Sequence, residues 1–380
     1  VSALPRPLPL PDFPWDSLLP ARAVAAGHPD GLVDLSVGTP VDATPAVAQA
    51  ALQAGADAPG YPVTVGTPQV RQAICAWFAR RRGVGDLTDA EVIPSIGSKE
   101  AVALLPLLLG VGPGDKVLLP QMAYPTYDVG ARLAGATPVP VGPDPDTWPT
   151  DAALVWLNSP GNPHGHVLGR AELARIVQWG RTHGALIVND ECYAELAWSE
   201  PWVSQGVPSL LDPAVVGDSR AGVLALYSLS KQSNLAGYRA GIIAGAADLI
   251  AHIVEGRKHL GLLTPAPVQA AMVAALADDA HVARQRQVYG ARRAALLPAL
   301  QRAGLEVDPA TGAGLYIWGR VPGCTGRQLV ELLAARGILV APGDFYGEQA
   351  ADFVRIALTA SDERIAAAVQ RLTDNPLTRG

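Results

Sequence analysis

The chain has 380 residues, 49% of them hydrophobic and 17% charged, which suits a well-buried globular protein and excludes a disordered one. A net charge of −6 without a long basic run argues against a nucleic-acid partner. The longest apolar stretch, Ala101 to Val111, is too short to span a bilayer and contains Pro106, which argues against a membrane protein.

The opening residues carry prolines at 5, 7, 9, 11 and 14, a spacing that favours extended, polyproline-like geometry and lacks the apolar core of a signal peptide. Three dispersed cysteines (Cys75, Cys192 and Cys324) form no C-x-x-C pair and fit a reducing, cytoplasmic setting as packing residues. Trp15 to Ala26 reads as a short helix and Gly31 to Leu35 as a strand, before the turn signal at Val37-Gly38-Thr39-Pro40. After Gly60-Tyr61-Pro62, Val70, Ile74, Trp77 and Phe78 share one face of an amphipathic helix that ends in Arg80 to Arg82.

From Glu91 onward strands and helices alternate. The predicted strands are Val92–Ile96, Lys116–Leu119, Pro138–Val141, Ala153–Leu157, Ala185–Val188, Val223–Tyr227 and Ala240–Ala244. Helical patterns at Lys99–Leu109, Pro125–Ala134 and Ala171–His183 fall between several of them. This order predicts an α/β fold whose mostly parallel sheet is covered on both faces, with sites at the carboxyl ends of the strands. Past residue 280, helices Ala291–Ala303, Gly326–Arg336 and Asp362–Thr373 interleave with strands Gly314–Trp318, Ile338–Ala341 and Phe353–Leu358. That region predicts a smaller α+β domain, with Ser361 capping the last helix. The expected division is a large domain over 38–265, a connecting helix over 266–279, and a small domain made of 1–37 and 280–380.

The chemistry concentrates at Leu224 to Gly245, LALYSLSKQSNLAGYRAGIIAG. An apolar strand ends in Ser228, Ser230 and Lys231, and Arg239 opens a second apolar run eight residues later. A lysine against such a wall loses water, which lowers its pKa toward a nucleophilic amine. Hydroxyls and a fixed cation beside it suit a phosphate. Amine plus phosphate cradle points to pyridoxal 5′-phosphate held as a Schiff base on Lys231.

The spacing of Ser228, Ser230, Lys231 and Gly237-Tyr238-Arg239-Ala240-Gly241 resembles the signature of class I/II aminotransferases of fold type I. The resemblance implies companions in a set order, and they are present. Asp190, at the end of Leu186-Ile187-Val188-Asn189-Asp190, resembles the carboxylate that keeps the cofactor's ring nitrogen protonated. Tyr193 and Asn162 resemble the residues that hydrogen-bond the ring's phenolic oxygen, and Tyr124 the aromatic that stacks on the ring. Gly97-Ser98-Lys99 lies in register with the family's phosphate loop at a helix N-terminus. The lone Arg355 in Phe353-Val354-Arg355-Ile356 resembles the residue that grips the substrate α-carboxylate, with the Gly38 backbone offered to the same group. Tyr61 resembles the residue that reaches the phosphate of a neighbouring subunit, which implies a homodimer with shared sites.

The turn Asn158-Ser159-Pro160-Gly161-Asn162-Pro163-His164-Gly165 departs from the family pattern, where Ser and Thr are usual at the positions of Gly161 and His164. Asn162-Pro163 also permits a cis peptide. His164-x-His166 has no evident third ligand, so no metal is expected.

A closer resemblance, carried by FPWD, HPDGLVDLSVGTPVD, AYPTYDVGARLAG, NDECY, PAPVQAAMVAAL and GILVAPGDFYG, is to actinobacterial N-succinyl-diaminopimelate aminotransferases of lysine and cell-wall biosynthesis. It implies glutamate as donor and an N-succinylated semialdehyde as acceptor. The alternatives are an aminotransferase of aspartate, aromatic or alanine type, and a lyase, decarboxylase or synthase using the same cofactor on the same fold. A regulator with an appended helix-turn-helix module is disfavoured by the proline-rich opening and the negative charge.

Overall fold

The computed structural model describes residues 10–377, so the polyproline expectation for residues 1–9 lies outside the described residues. A seven-stranded sheet runs in the order Val92–Ile96, Ala240–Gly245, Val223–Ser228, Leu186–Asp190, Ala152–Asn158, Lys116–Pro120, Thr137–Val141. Six strands are parallel; Ala240–Gly245 runs antiparallel to both of its neighbours. As expected, Arg239 opens its strand, and the reversal brings it to the edge where the other strands end.

The inner strands are buried on both faces, so successive residues enter opposite cores, while the edge strand Thr137–Val141 is partly exposed. Leu118, Val155, Ile187, Ala225 and Ile242 pack with Val70, Ile74, Trp77 and Phe78 of the helix Pro68–Arg82. Val117, Trp156, Val188, Leu224 and Ile243 pack on the other face with the helices Gly97–Leu108, Thr126–Leu133 and Ala247–Leu260. The helix Pro68–Arg82 has clear causes: Thr67 caps it by accepting from the Val70 N–H, Pro68 starts it, and Gly83 at φ 69° ends it.

A second sheet of four strands orders Ala341–Pro342, Phe353–Ala357, Tyr316–Arg320, Glu306–Val307, all antiparallel. The expected strand Ile338–Ala341 divides at Val340. Ile338–Leu339 pairs in parallel with Val33–Asp34, and Ala341–Pro342 joins the four-stranded sheet. The last helix begins at Asp362, with Ser361 accepting from the Arg364 N–H. No described helix is long and apolar enough to cross a membrane.

Candidate active site

A cavity of about 510 Å³ opens at the carboxyl edge of the large sheet. Its lining brings together Gly38, Ser98, Lys99, Tyr124, Asn162, Asp190, Tyr193, Ser228, Ser230, Lys231, Arg239 and Arg355, residues scattered over more than three hundred positions of sequence. Gly97 is buried beside them, and Tyr61 is not among the lining residues but stands 98% exposed.

The strand Val223–Ser228 delivers Lys231 through one short helical turn. Ser228 caps that turn, accepting from the Ser230 N–H at 3.1 Å and donating to the Ser230 hydroxyl at 2.8 Å. Lys231 Nζ donates to the Gly38 carbonyl. Burial disfavours its ammonium form and pushes its pKa down, with Arg355 and Arg239 adding to the shift.

A polar cradle lies beside it. The helix Gly97–Leu108 begins with Gly97 at φ 72°, and a Cβ there would collide with the Arg239 guanidinium. Glycine thus lets a helix N-terminus and a cation meet two serine hydroxyls. Arg239 itself takes φ 57° and donates to the Ala236 carbonyl at 2.8 Å, which fixes its direction.

Asp190 ends its strand 7% exposed, accepting from the Cys192 N–H and the Tyr127 hydroxyl, each at 3.1 Å. Burial pushes its pKa up, so a cation placed against it would be strongly favoured. The next residue, Glu191, is fully buried and accepts from Arg82 Nη2 at 2.9 Å, the Leu210 N–H at 2.7 Å and the Ser209 hydroxyl at 3.1 Å. Arg82→Ala would leave that carboxylate buried without its cation and should cost about 3–5 kcal/mol. Urea unfolding checks it, and a midpoint equal to wild type would contradict the role of the pair.

Arg355 is 2% exposed in the small sheet. Its Nη1 donates to Asn162 Oδ1 at 3.0 Å and its Nη2 to the Ser36 carbonyl at 2.7 Å, while Nε is buried without a partner among the described residues. Aromatic rings surround the guanidinium, with its Cζ 3.9 Å from the Tyr316 centroid, 5.1 Å from Tyr346 and 5.8 Å from Trp15. The Asn162 amide oxygen is spent on Arg355, so its NH2 is the group left for a cavity partner. Asn162–Pro163 and Ser159–Pro160 are both cis.

The altered turn now has a physical account. A Cβ at Gly161 would run into the His164 ring. That ring is held: its Nδ1 accepts from the His166 N–H at 3.0 Å, and it packs 4.1 Å from the His166 ring. His166 in turn meets Asp308 at 2.6 Å. Burial pushes His164 down to about 3, so it stays neutral, and it is absent from the cavity lining. Gly161→Ser alone should therefore destabilise by about 1–3 kcal/mol, and His164→Thr in the same chain should relieve it. Additive unfolding energies for the two changes would contradict the coupling.

Sequence reasoning missed Trp15, Tyr127, Asn158, Cys192 and Tyr316, all of which line the cavity. No local signal marked Tyr316: only the observed register, which pairs Trp318 with Arg355, puts Tyr316 two residues away on the same sheet face as the arginine.

Comparison with known proteins decides the family. The family model "Aminotransferase class I and II" matches residues 30–372. The chain belongs to the class I and II aminotransferases. It is 54% identical over 364 residues to "Probable aminotransferase Rv1178" of Mycobacterium tuberculosis, covering 96% of this chain and 85% of that one. It is 55% identical over 364 residues to the 4-dedimethylamino-4-oxo-anhydrotetracycline transaminase OxyQ of Streptomyces rimosus, covering 96% and 99%. A solved structure from Thermus thermophilus, described as a probable N-succinyldiaminopimelate aminotransferase, superposes with TM-score 0.85 at 29% identity, covering 95% and 100%. The aminotransferase fold and its dependence on pyridoxal 5′-phosphate agree with the cavity: a desolvated amine, a cradle that a side chain at Gly97 would fill, and a buried carboxylate short of a cation all fit that group.

Proposed function

We propose that this aminotransferase carries an amino group from glutamate to the aldehyde of N-succinyl-2-amino-6-oxopimelate, in a ping-pong exchange centred on Lys231. The observation that carries the reading is the convergence of desolvated Lys231, buried Asp190 and the Arg355 guanidinium on one cavity. Pyridoxal 5′-phosphate, when bound, supplies an electron sink for the charge left as a substrate Cα loses its proton. The chain does the rest. Lys231 takes and returns that proton as general base and acid. Asp190 holds a proton at the ring nitrogen, and Tyr193 and Asn162 donate toward the phenolic oxygen. Gly97, Ser98, Ser228, Ser230 and Arg239 hold the phosphate, and the Tyr124 ring walls one face. Arg355, with the Gly38 backbone, orients the substrate α-carboxylate.

Lys99 supports an acidic acceptor tail. Its Nζ lies 5.5 Å from the Phe13 centroid and 6.0 Å from that of Tyr124, with no carboxylate partner among the described residues. The exposed Tyr61, with Val41 and Val63 at 56% and 54% exposure, supports a homodimer in which Tyr61 reaches the partner's phosphate. The free, dispersed cysteines support a cytoplasmic setting. The separate apolar core around the four-stranded sheet supports a small domain of 1–37 and 280–380 beside a large one of 38–265, with 266–279 connecting them.

A second reading is favoured by the 55% identity to OxyQ: a polycyclic ketone as acceptor, lodged against Phe13 and Trp15. Acceptor titration separates the two. The holoenzyme's visible band should bleach with glutamate and recover with the succinylated semialdehyde. Recovery with polycyclic ketones alone would overturn the acceptor and keep the chemistry; no bleaching with any amino donor would favour a lyase.

A further inference from the structure

Tyr316 has no part in the roles assigned above, yet it is buried at the centre of the site, 4% exposed. Its hydroxyl lies 3.2 Å from that of Tyr193, with ring centroids 5.7 Å apart in an edge arrangement. Its ring lies under Arg355, 3.9 Å from Cζ, close enough for a desolvated cation–π contact. Its hydroxyl also packs against Gly38, where a Cβ would strike it, and Gly38 accepts from Lys231. One side chain thus touches the carboxylate-gripping arginine, the cofactor-facing tyrosine and the backbone that receives the lysine.

We propose that Tyr316 is a positioning residue that passes the state of Arg355 to Tyr193: its ring carries the guanidinium, and its hydroxyl sets which way the Tyr193 hydroxyl donates. The inference rests on the reading that Tyr193 faces the cofactor. The groups facing Tyr316 are Tyr193, Cys192, Lys231, Arg355, Tyr346 and Tyr289. Burial pushes its pKa up, but Arg355 and Lys231 outweigh it and the net shift is downward. Burial and the adjoining Tyr316 oxygen push Tyr193 well up. Before a substrate carboxylate arrives, these cations favour Tyr316 as the acceptor from Tyr193. A substrate carboxylate on Arg355 neutralises the cation that lies against the Tyr316 ring. Tyr316 then keeps its proton firmly and donates to Tyr193, whose own hydrogen is freed for the cofactor's phenolic oxygen. No proton leaves the pair; only the direction of the hydrogen bond changes.

Two measurements test this. In cofactor-free protein labelled at tyrosine ¹³Cζ, the Tyr316 resonance, identified by its loss in Tyr316→Phe, should titrate below the ordinary tyrosine value of about 10. Arg355→Gln should raise that midpoint. An ordinary midpoint, or one indifferent to Arg355→Gln, would overturn the proposal. In the holoenzyme held with excess succinate as the carboxylate on Arg355, Tyr316→Phe keeps the ring and removes the donor, so the pH midpoint of the cofactor's visible band should rise by roughly half a unit or more. A purely structural role would leave that midpoint in place. Should the phenylalanine variant misfold, 3-fluorotyrosine at 316, a stronger donor of the same shape, should move the midpoint the opposite way; no movement overturns the proposal. Absence of a visible band in wild-type protein would instead defeat the cofactor reading itself, so the two failures are distinguishable.

Discussion

Lys231→Ala should lower turnover by about 10⁴-fold or more, because it removes both the covalent anchor and the proton carrier at substrate Cα. The fold should survive. The strand Val223–Ser228 and the Ser228 cap are made without the lysine side chain, and the amine's hydrogen bond is to the Gly38 carbonyl. Removing a desolvated cation also removes a desolvation cost, so unfolding energy should stay within about 1 kcal/mol of wild type. Steady-state turnover and thermal unfolding, measured together, separate a chemical loss from a structural one. Near-wild-type turnover would contradict the assignment of Lys231.

Arg355→Ala should act on a different kinetic constant. The guanidinium is buried, held by Asn162 and the Ser36 carbonyl, and flanked by Tyr316, Tyr346 and Trp15. It is therefore aimed before any substrate arrives, and its loss removes a preorganised contact to a carboxylate. A buried, hydrogen-bonded charge partner of this kind is worth about 2–4 kcal/mol, so kcat/KM should fall by about 30- to 10³-fold, mainly through KM. Arg355→Lys should recover little, because an ammonium cannot replace the planar fork between Asn162 and Ser36. An unchanged KM for every amino donor would contradict the role of Arg355.

The large sheet was legible because its strands are continuous apolar runs bounded by turn residues, and each expected strand lies within about two residues of its observed bounds. Several site motifs were legible for a related reason: Asp190 and Ser228 are polar residues at the end of such a run, and Arg355 is a lone charge inside one, where an apolar strand has no structural use for them. The long helix Asp279–Arg302 was read only from residue 291 onward. Its first half hides its burial behind polar side chains. Gln285 donates to Asp42 at 2.8 Å, and further along Arg292 binds Asp42 and, at 2.7 Å, Asp362, so apolar periodicity undercounts the buried face. The division at Val340 was equally hidden, since one apolar run serves two sheets and nothing local marks the change of partner. Tyr316 was missed because an aromatic residue in an apolar strand ordinarily fills a core; its neighbours across the sheet, absent from local sequence, give it a polar task. Pairwise fit explains the Gly161 and His164 turn in the same way, since each departure makes sense only in the presence of the other.

The central claim is that Lys231 holds the cofactor. Borohydride reduction of the pyridoxal 5′-phosphate-loaded protein, followed by proteolysis and peptide mass spectrometry, tests it without requiring any substrate. The account predicts the reduced cofactor on the peptide containing Lys231 and at no other lysine. Labelling at Lys99 or Lys258, or a peptide map without cofactor at Lys231, would contradict it.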